Sequence, residues 1–368
     1  MEFAFDGGLA ELRERGLDTG RTLVAPSAPA RDARAGWDPD LFTTLGAAGV
    51  LGVALPTEHG GRGATPLEAV ALLEGFGEGG DDAGLALSAT IHGVLFGVPI
   101  ATLGSRSQRD RHLSHVVSGE RVGAVASSET GDEIVALRTA HGWRLDGGKH
   151  TVANAPVAHH FLVTAISGDG SRTAFLLDRD TPGLAVRPVD EPAVLRTCPV
   201  GELVLTGCEV GDDAVLGKPG RATEELIPLL AALDRTCLAA PWLGLLRGLG
   251  GRAVRLAAER TGFGAPLARS QSVRLAVVDV RTRTELAADL LYRAAWELGS
   301  GGGTPRRDPA MAKLFLTEAL LSATGVAAGL APDDVIVRLH RDSVAFAASA
   351  GGTDVLRAVI AESLLGAN

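Results

Sequence analysis

The segment from Glu259 to Gln271 carries side chains whose types and spacing suit the binding of a diphosphate. It reads Glu-Arg-Thr-Gly-Phe-Gly-Ala-Pro-Leu-Ala-Arg-Ser-Gln and places Arg260 at the end of a predicted helix, before a Gly-Ala-Pro turn. The planar guanidinium of an arginine donates two parallel hydrogen bonds to phosphate oxygens. The alternative for Arg260 is a solvated arginine near the negative end of the helix dipole. The segment predicts a diphosphate clamp.

Motifs of several other chemistries do not occur in this sequence. It contains no HExxH, no GxSxG and no paired Cys/His pattern, which disfavours metal-dependent hydrolysis and acyl transfer. Its cysteines, Cys198, Cys208 and Cys237, form no CxxC pair, so we expect neither a disulfide framework nor a metal site. The adjacent His159 and His160 are expected at the surface or at a β-corner rather than as ligands.

Composition and charge indicate a well-buried globular protein that acts on small molecules or protein partners. The 368 residues are 46% hydrophobic and 21% charged, with a formal net charge of -9. No lysine-rich run appears, which argues against binding to nucleic acid or to an anionic membrane surface. Met1–Asp6 shows no secretory or transit signal, so we expect a cytoplasmic protein. The apolar stretch Leu85–Leu103 contains His92 and Pro99, which favours buried core helices over a membrane span.

The elements that must position the clamp follow an order of helices, strands and helices. Apolar residues recur at helical spacing from Leu9 to Gly119, short apolar runs separated by Gly-containing turns follow Arg121, and helical spacing returns after Gly220. This order predicts an α+β fold without the regular alternation of a Rossmann domain. The predicted domains are an N-terminal helical domain at 1–120, a middle antiparallel β domain at 121–221 and a C-terminal helical bundle at 222–368.

Motifs along the whole chain resemble those of the acyl-CoA dehydrogenase family. They are Leu45–Gly52, Leu55–Gly63, Leu145–Lys149, Asn154, Asp180–Leu184, Val215–Gly217, Arg260–Leu267, Gln271, Asp279, Tyr292–Trp296, Ala310–Phe315 and Arg338–Asp342. The resemblance implies a helical domain, a middle β domain and a C-terminal four-helix bundle. It also implies a homodimer or homotetramer with FAD bound across a subunit boundary.

The resemblance assigns FAD contacts to particular residues. In the clamp, Arg260 reaches the FAD of the neighbouring subunit, Phe263 lies near the adenosine and Gln271 hydrogen-bonds cofactor atoms. Ser127 and Ser128 stand in the loop that contacts the flavin ring. We therefore expect FAD as the cofactor.

Other flavin-contacting positions depart from the family pattern. Thr151 and Ala153 occupy positions where the family has a Trp that covers the ring and a Thr directed at the flavin N5. Ala323–Ala327 replaces a Gln-x-x-Gly-Gly turn that holds the adenine half of FAD, so the amide and the second glycine are missing. These replacements leave the retention of FAD open.

The carboxylate base of the family is also replaced. Oxidation of a Cα–Cβ bond in an acyl thioester needs a base for the α-proton, and the family usually supplies a Glu where this chain has Ala350. Some members carry the base on an earlier helix, just before an arginine, and here that residue is Asp234. The alternatives are that Asp234 only pairs with a nearby arginine or is solvated, and that Asp354, one turn beyond Ala350, is the base.

The resemblance implies FAD-dependent α,β-dehydrogenation of an acyl thioester carried by CoA or by an acyl carrier protein. The electron acceptor is not indicated. Two alternatives follow from the replaced residues. One is a catalytically silent subunit of a heteromeric acyl-CoA dehydrogenase. The other is a fold redirected to flavin monooxygenation or to flavin-free chemistry.

Overall fold

The chain forms two compact units. The computed structural model describes residues 7–127, 134–262, 264–330, 333–349 and 352–366. One unit, called the helical unit below, comprises Met1–Asp32, Thr65–Ala86 and Asp234–Asn368. The other, the sheet unit, comprises Ala33–Ala64 and Leu87–Leu233.

Helices dominate both ends of the chain. They are α1 (Gly7–Thr19), α2 (Ala28–Arg34), α3 (Pro39–Ala47), α4 (Pro66–Gly80), α5 (Ala83–Thr90), α6 (Gly97–Leu103), α7 (Arg106–Ser118), α8 (Leu226–Arg235), α9 (Ala240–Glu259), α10 (Gln271–Gly299), α11 (Arg307–Leu330), α12 (Asp334–Ala348) and α13 (Gly352–Leu365). A π-helical segment, Ile91–Phe96, joins α5 to α6.

The strands lie between these helices. They are β1 (Gly123–Ala126), β2 (Val135–Thr139), β3 (Gly142–Ala153), β4 (His160–Ser167), β5 (Arg172–Asp178), β6 (Leu184–Pro188), β7 (Val200–Val210), β8 (Val215–Leu216), and the short pair β9 (Thr261–Gly262) and β10 (Ala265–Pro266). The predicted α+β order of helices, strands and helices is confirmed.

Glycines let three helices of the helical unit approach closely. A Cβ atom at Gly75 of α4 would lie 1.9 Å from the carbonyl oxygen of Arg13 in α1. On another side of α4, a Cβ atom at Gly244 of α9 would lie 1.9 Å from the carbonyl oxygen of Glu74. Neither distance leaves room for a methyl group. Backbone therefore packs directly on backbone, and α4 is fixed between α1 and α9.

A buried carboxylate ties the same helices together. Glu74 is fully buried and accepts hydrogen bonds from Arg13 Nε at 3.2 Å, Arg247 Nε at 2.7 Å and the Tyr292 hydroxyl at 2.5 Å. Burial and the neighbouring Glu74 charge raise the pKa of Tyr292, so its hydroxyl stays protonated and donates. Because a buried charge is tolerated only when it is paired, the network fixes α1, α9 and α10 around α4.

One eight-stranded sheet organises the sheet unit. Its order is β6-β7-β3-β2-β4-β5-β8, and β1 pairs with β4 beside this path. Most pairings are antiparallel, as predicted, whereas β1 and β2 both run parallel to β4. The predicted turn signal at Gly147 and Gly148 instead lies inside β3, where the register against β7 shifts and Gly147 has a φ of 128°. This is a β-bulge, which accommodates a left-handed glycine without ending the strand.

Alternation along β4 places the sheet between two apolar layers. Phe161, Val163 and Ala165 join one buried cluster, and Leu162 joins a second cluster with residues of α6 and α7. Successive side chains of a strand point to opposite faces, so the two clusters lie on opposite sides of the sheet. The strands that carry the candidate site are held by this core.

Among the residues that the structure describes, three helical stretches are long and apolar enough to cross a membrane by length and composition alone. They are Ala83–Leu103, Leu226–Glu259 and Arg307–Leu330, and the chain itself buries 83%, 78% and 56% of their most apolar windows. This burial supports the prediction that Leu85–Leu103 forms core helices.

Candidate active site

A short hairpin in the helical unit joins two of the predicted site residues. At the end of α9, Arg260 turns to extended backbone while its N–H still donates to the Leu256 carbonyl at 3.0 Å. Strands β9 and β10 follow, with Gly264 between them at a φ of 80°. The Leu267 N–H then donates to the Arg260 carbonyl at 2.8 Å. The chain thus folds back beside Arg260 before α10 begins at Gln271.

The polar side chains of this hairpin are available to a ligand. Arg260 and Gln271 are both exposed. Within the described ranges, neither side chain makes a hydrogen bond or an ion pair. Phe263 lies outside the described residues. An unpaired guanidinium and an unpaired amide near one turn retain all of their donors, as the clamp interpretation requires.

A pair of hydroxyls lies at the start of the predicted flavin-contacting loop in the sheet unit. Ser127 directly follows β1, and its Oγ accepts a hydrogen bond from Thr164 Oγ1 at 3.3 Å. Thr164 lies on the neighbouring β4 and is 5% exposed. Thr164 is not among the predicted site residues, although it is the one hydroxyl in the apolar run Phe161–Ala165. Ser128 lies outside the described residues.

The end of β3 is anchored by Asn154. Thr151 is exposed and Ala153 is partly buried, two residues apart on one face of the strand. Asn154 follows in a left-handed conformation with a φ of 67°, and its Nδ2 donates to the carbonyls of Ser88 at 3.0 Å and Gly123 at 3.3 Å. These bonds connect the end of β3 to α5 and to the start of β1. Thr151 and Ala153 therefore lie on a fixed part of the sheet.

The adjacent histidines of the sheet unit have different environments. His159 is exposed, whereas His160 is 3% exposed and begins β4 directly after a turn, so of the two predicted positions, surface or β-corner, the surface does not apply to His160. The alternation of β4 directs His160 towards α7, where its ring lies 4.6 Å from that of His112. Its Nδ1 lies 2.8 Å from Asp178 Oδ1. Burial lowers the pKa of both histidines, that of His112 to about 4.

Asp234 lies near the end of α8 and is paired with a lysine. Its Oδ2 lies 2.6 Å from Lys313 Nζ on α11, and the side chains are 14% and 1% exposed. The partner predicted for Asp234 was a nearby arginine, and Lys313 was not among the predicted site residues. The other base candidate, Asp354, has a side chain that is 96% exposed and lies near Arg357. Ala350 lies outside the described residues.

The segment Ala323–Ala327 is helical. It continues α11 through to Leu330, where the family pattern implies a turn. Ala323, Thr324 and Ala327 are fully buried, and the hydroxyl of Thr324 donates to the Leu321 carbonyl at 3.1 Å. These three side chains pack inside the helical unit and offer no group to a ligand.

Comparisons with known proteins agree with this fold. Family models match residues 10–120 (acyl-CoA dehydrogenase, N-terminal domain), 124–208 (middle domain) and 230–365 (C-terminal domain).

Two relatives match most of the chain. An L-prolyl-[peptidyl-carrier protein] dehydrogenase of Pseudomonas fluorescens is 30% identical over 342 residues, which cover 88% of this chain and 89% of the relative. A benzylmalonyl-CoA dehydrogenase of Aromatoleum aromaticum is 31% identical over 357 residues, 93% of each chain.

A solved structure described as PigA with FAD and proline superposes with a TM-score of 0.94 at 24% identity over the full length of both chains. At that identity the superposition shows the shared fold, and the family assignment rests on the family models and the two relatives. The chain belongs to the acyl-CoA dehydrogenase family.

Proposed function

We propose that this protein catalyses the FAD-dependent α,β-dehydrogenation of an acyl thioester. The observation that carries the proposal is the 30% identity, over 88% of the chain, to an L-prolyl-[peptidyl-carrier protein] dehydrogenase. The benzylmalonyl-CoA dehydrogenase supports the same class of reaction. Both relatives are enzymes, which favours this function over a catalytically silent subunit.

The donor chemistry of the described residues fits FAD. Arg260 offers an exposed guanidinium without an ion pair, which suits the diphosphate, and Gln271 offers a free amide. A Cβ atom at Gly264 would meet nothing within 4 Å, so the hairpin leaves room for a ligand. The hydroxyls of Ser127 and Thr164 suit the polar edge of the flavin ring. When bound, FAD supplies the acceptor for the hydride that leaves the substrate Cβ.

Asp234 is our proposed base for the α-proton. Among the described residues, its carboxylate has one partner, Lys313, which binds Oδ2, and Oδ1 accepts no hydrogen bond. A carboxylate with one oxygen held and one oxygen free can accept a proton at a defined atom. Asp354 is disfavoured because its side chain is 96% exposed.

We further propose the substrate carrier and the assembly. A carrier-protein thioester is favoured over a CoA thioester by the relative that acts on a peptidyl-carrier protein. A homodimer or homotetramer is supported by the exposed donors of the hairpin, since Arg260 and Gln271 are then free to bind the FAD of a neighbouring subunit. We also propose a cytoplasmic location.

The first test is the visible spectrum of the purified chain during anaerobic addition of thioesters. We expect a yellow protein that is bleached by at least one of L-prolyl peptidyl-carrier protein, benzylmalonyl-CoA and butyryl-CoA. A colourless protein, or a yellow one that none of the three bleaches, contradicts the proposal. A colourless chain that gains flavin only when produced with a homologue supports the silent-subunit alternative.

The second test separates the base from the cofactor. Asp234→Asn should keep the yellow colour and lower the rate of bleaching by roughly two to four powers of ten, because the amide cannot take the proton. Asp354→Asn is the matched control and should bleach at the wild-type rate. A wild-type rate in Asp234→Asn shows that another group is the base.

A further inference from the structure

Lys313 is a deeply buried cation of the helical unit. It lies on α11, and its side chain is 1% exposed. Lysine is almost never fully buried without a partner because the ammonium loses its hydration. Its ion-pair partner within the described residues is Asp234, with Nζ 2.6 Å from Oδ2. Each of the two charges is therefore stabilised by the other in a site that is largely shielded from water.

Aromatic rings hold the ammonium from a second side. Lys313 Nζ lies 5.3 Å from the ring centroid of Phe346 on α12. Phe346 in turn stacks on Trp242 of α9, with ring centroids 4.5 Å apart and planes inclined by 21°. A cation over a stacked ring is attracted by the negative face of the π system. The lysine is thus confined between a carboxylate and an aromatic stack.

Other charged side chains on α11 and α12 have ion-pair partners of their own among the described residues. On α11, Asp308 pairs with Arg293 and Arg307, and Glu318 pairs with Arg357. On α12, Asp342 pairs with Arg341, and Arg338 pairs with Asp334. Arg235 follows Asp234 on α8 and is 9% exposed. Lys313 remains the cation that directly contacts the Asp234 carboxylate.

We propose that Lys313 is a positioning residue for the dehydrogenation, which holds Oδ2 of Asp234 so that Oδ1 is the oxygen that takes the α-proton. The inference rests on the proposed function. In the transfer the Cα–H bond breaks, an Oδ1–H bond forms, and the electron pair of the Cα–H bond stays on the substrate. Lys313 keeps its own proton and its bond to Oδ2 throughout.

The neighbouring ammonium fixes the direction in which Oδ1 of the base points. Misplacement of a catalytic group by about 1 Å can cost about a hundredfold in rate. Removal of the ammonium should therefore lower the rate of proton transfer, and replacement by another cation should lower it less.

The test measures the rate of flavin bleaching against thioester concentration, with the thioester that bleaches the wild type. In Lys313→Met we expect the maximal rate to fall at least about tenfold, with little change in the concentration that gives half of the maximal rate. Lys313→Arg should recover part of the lost rate, because it restores a cation beside Oδ2. The matched control is Lys218→Met, at an exposed lysine, which should match the wild type.

A second readout does not depend on activity. Lys313→Met alone leaves the Asp234 charge without its partner, and Asp234→Asn alone leaves a buried ammonium. The double variant removes both charges and should regain much of the thermal stability that each single variant loses. The reason is that it leaves no buried charge without a partner. If Lys313→Met does not fold, recovery of folding in the double variant supports the proposal, and failure to recover overturns it.

The outcomes separate this inference from the function on which it rests. If the wild type is not bleached, or if Asp234→Asn keeps the wild-type rate, the proposed function or base fails and the role of Lys313 fails with it. If both behave as expected but Lys313→Met keeps a maximal rate within about twofold of the wild type, only the positioning role is overturned.

Discussion

Arg260 places a guanidinium at the surface where a helix ends and a hairpin begins. The last carbonyl groups of a helix have no partner within the helix. At the end of α9, the backbone N–H of Arg260 donates to the Leu256 carbonyl. The Arg260 side chain takes no part in this cap. An exposed arginine without an ion pair contributes little to folding. We therefore propose that Arg260 serves in ligand binding.

Replacement of Arg260 by alanine should weaken FAD binding. The loss of one charge-assisted interaction is worth about 1.5 to 3 kcal/mol, or roughly a 10- to 100-fold higher dissociation constant for FAD. Isothermal titration of the flavin-free protein with FAD measures this change. Thermal stability without FAD should stay within about 0.5 kcal/mol of the wild type.

The control for Arg260 is Arg255→Ala, at an exposed position one turn earlier on α9. It removes the same charge from the same helix and should leave FAD affinity unchanged. Equal effects of the two substitutions would show that Arg260 acts only through net charge, and would contradict a specific clamp.

At the scale of elements, helix packing in the helical unit depends on backbone contact at glycines. The methyl group of Gly75→Ala would meet the Arg13 carbonyl oxygen, where its Cβ has only 1.9 Å. We expect α1 and α4 to be forced apart at a cost of about 1 to 3 kcal/mol in the free energy of unfolding. Urea unfolding followed by circular dichroism measures the change.

Gly251→Ala on α9 is the matched substitution. Its added Cβ would have Arg255 Nη1 as its nearest contact, at 3.7 Å, and the position is exposed. Because alanine is the better helix former, this substitution should stabilise the protein by up to about 1 kcal/mol. A similar loss of stability at both glycines would argue against the contact between α1 and α4 as the cause.

The order of elements could be predicted because each type of element leaves a local pattern. The apolar run Phe161–Ala165 alternates between two faces, and a β strand is found there. The bulge at Gly147 could not be predicted, because Asp-Gly-Gly is typical of a turn between two strands. Here β3 continues through these residues because it pairs with β7, a strand that lies far away in sequence. The ends of the domains stay predictions.

The sequence predicts a candidate site where one segment carries several groups, as at Arg260 and Gln271, and their role in binding stays a prediction. It was not predictable where partners are far apart in sequence. Asp234 and Lys313 are separated by 79 residues, so their contact depends on how the helices pack. Thr164 and Ser127 meet for the same reason, through the parallel pairing of β1 and β4.

At the scale of the whole molecule, buried histidines of the sheet unit should make the protein sensitive to acid. Burial lowers the pKa values of His92 and His112 from 6.5 to about 4. The unfolded chain therefore binds more protons between these values, and stability should be lost as the pH falls from about 6.5 towards 4. Each of the two contributes roughly 3 kcal/mol at most.

Urea unfolding at several pH values between 7 and 4.5 measures this loss. His112→Leu removes one of the buried imidazoles and should flatten the decline, because leucine has no proton to take up on unfolding. His141→Leu, at an exposed position, should follow the wild-type curve. If stability is constant over this range, the buried histidines do not control it.

The two units differ in how many separate stretches of the chain they contain, and this difference affects how the chain folds during synthesis. The sheet unit is nearly continuous, from Leu87 to Leu233, whereas the helical unit is assembled from three separate stretches. Glu74 on α4 must wait for Arg247 and Tyr292, which lie 173 and 218 residues further along the chain. On the ribosome, the sheet can form while the Glu74 carboxylate still has only Arg13 of its three partners. The helical unit can therefore close only after α9 and α10 have been synthesised.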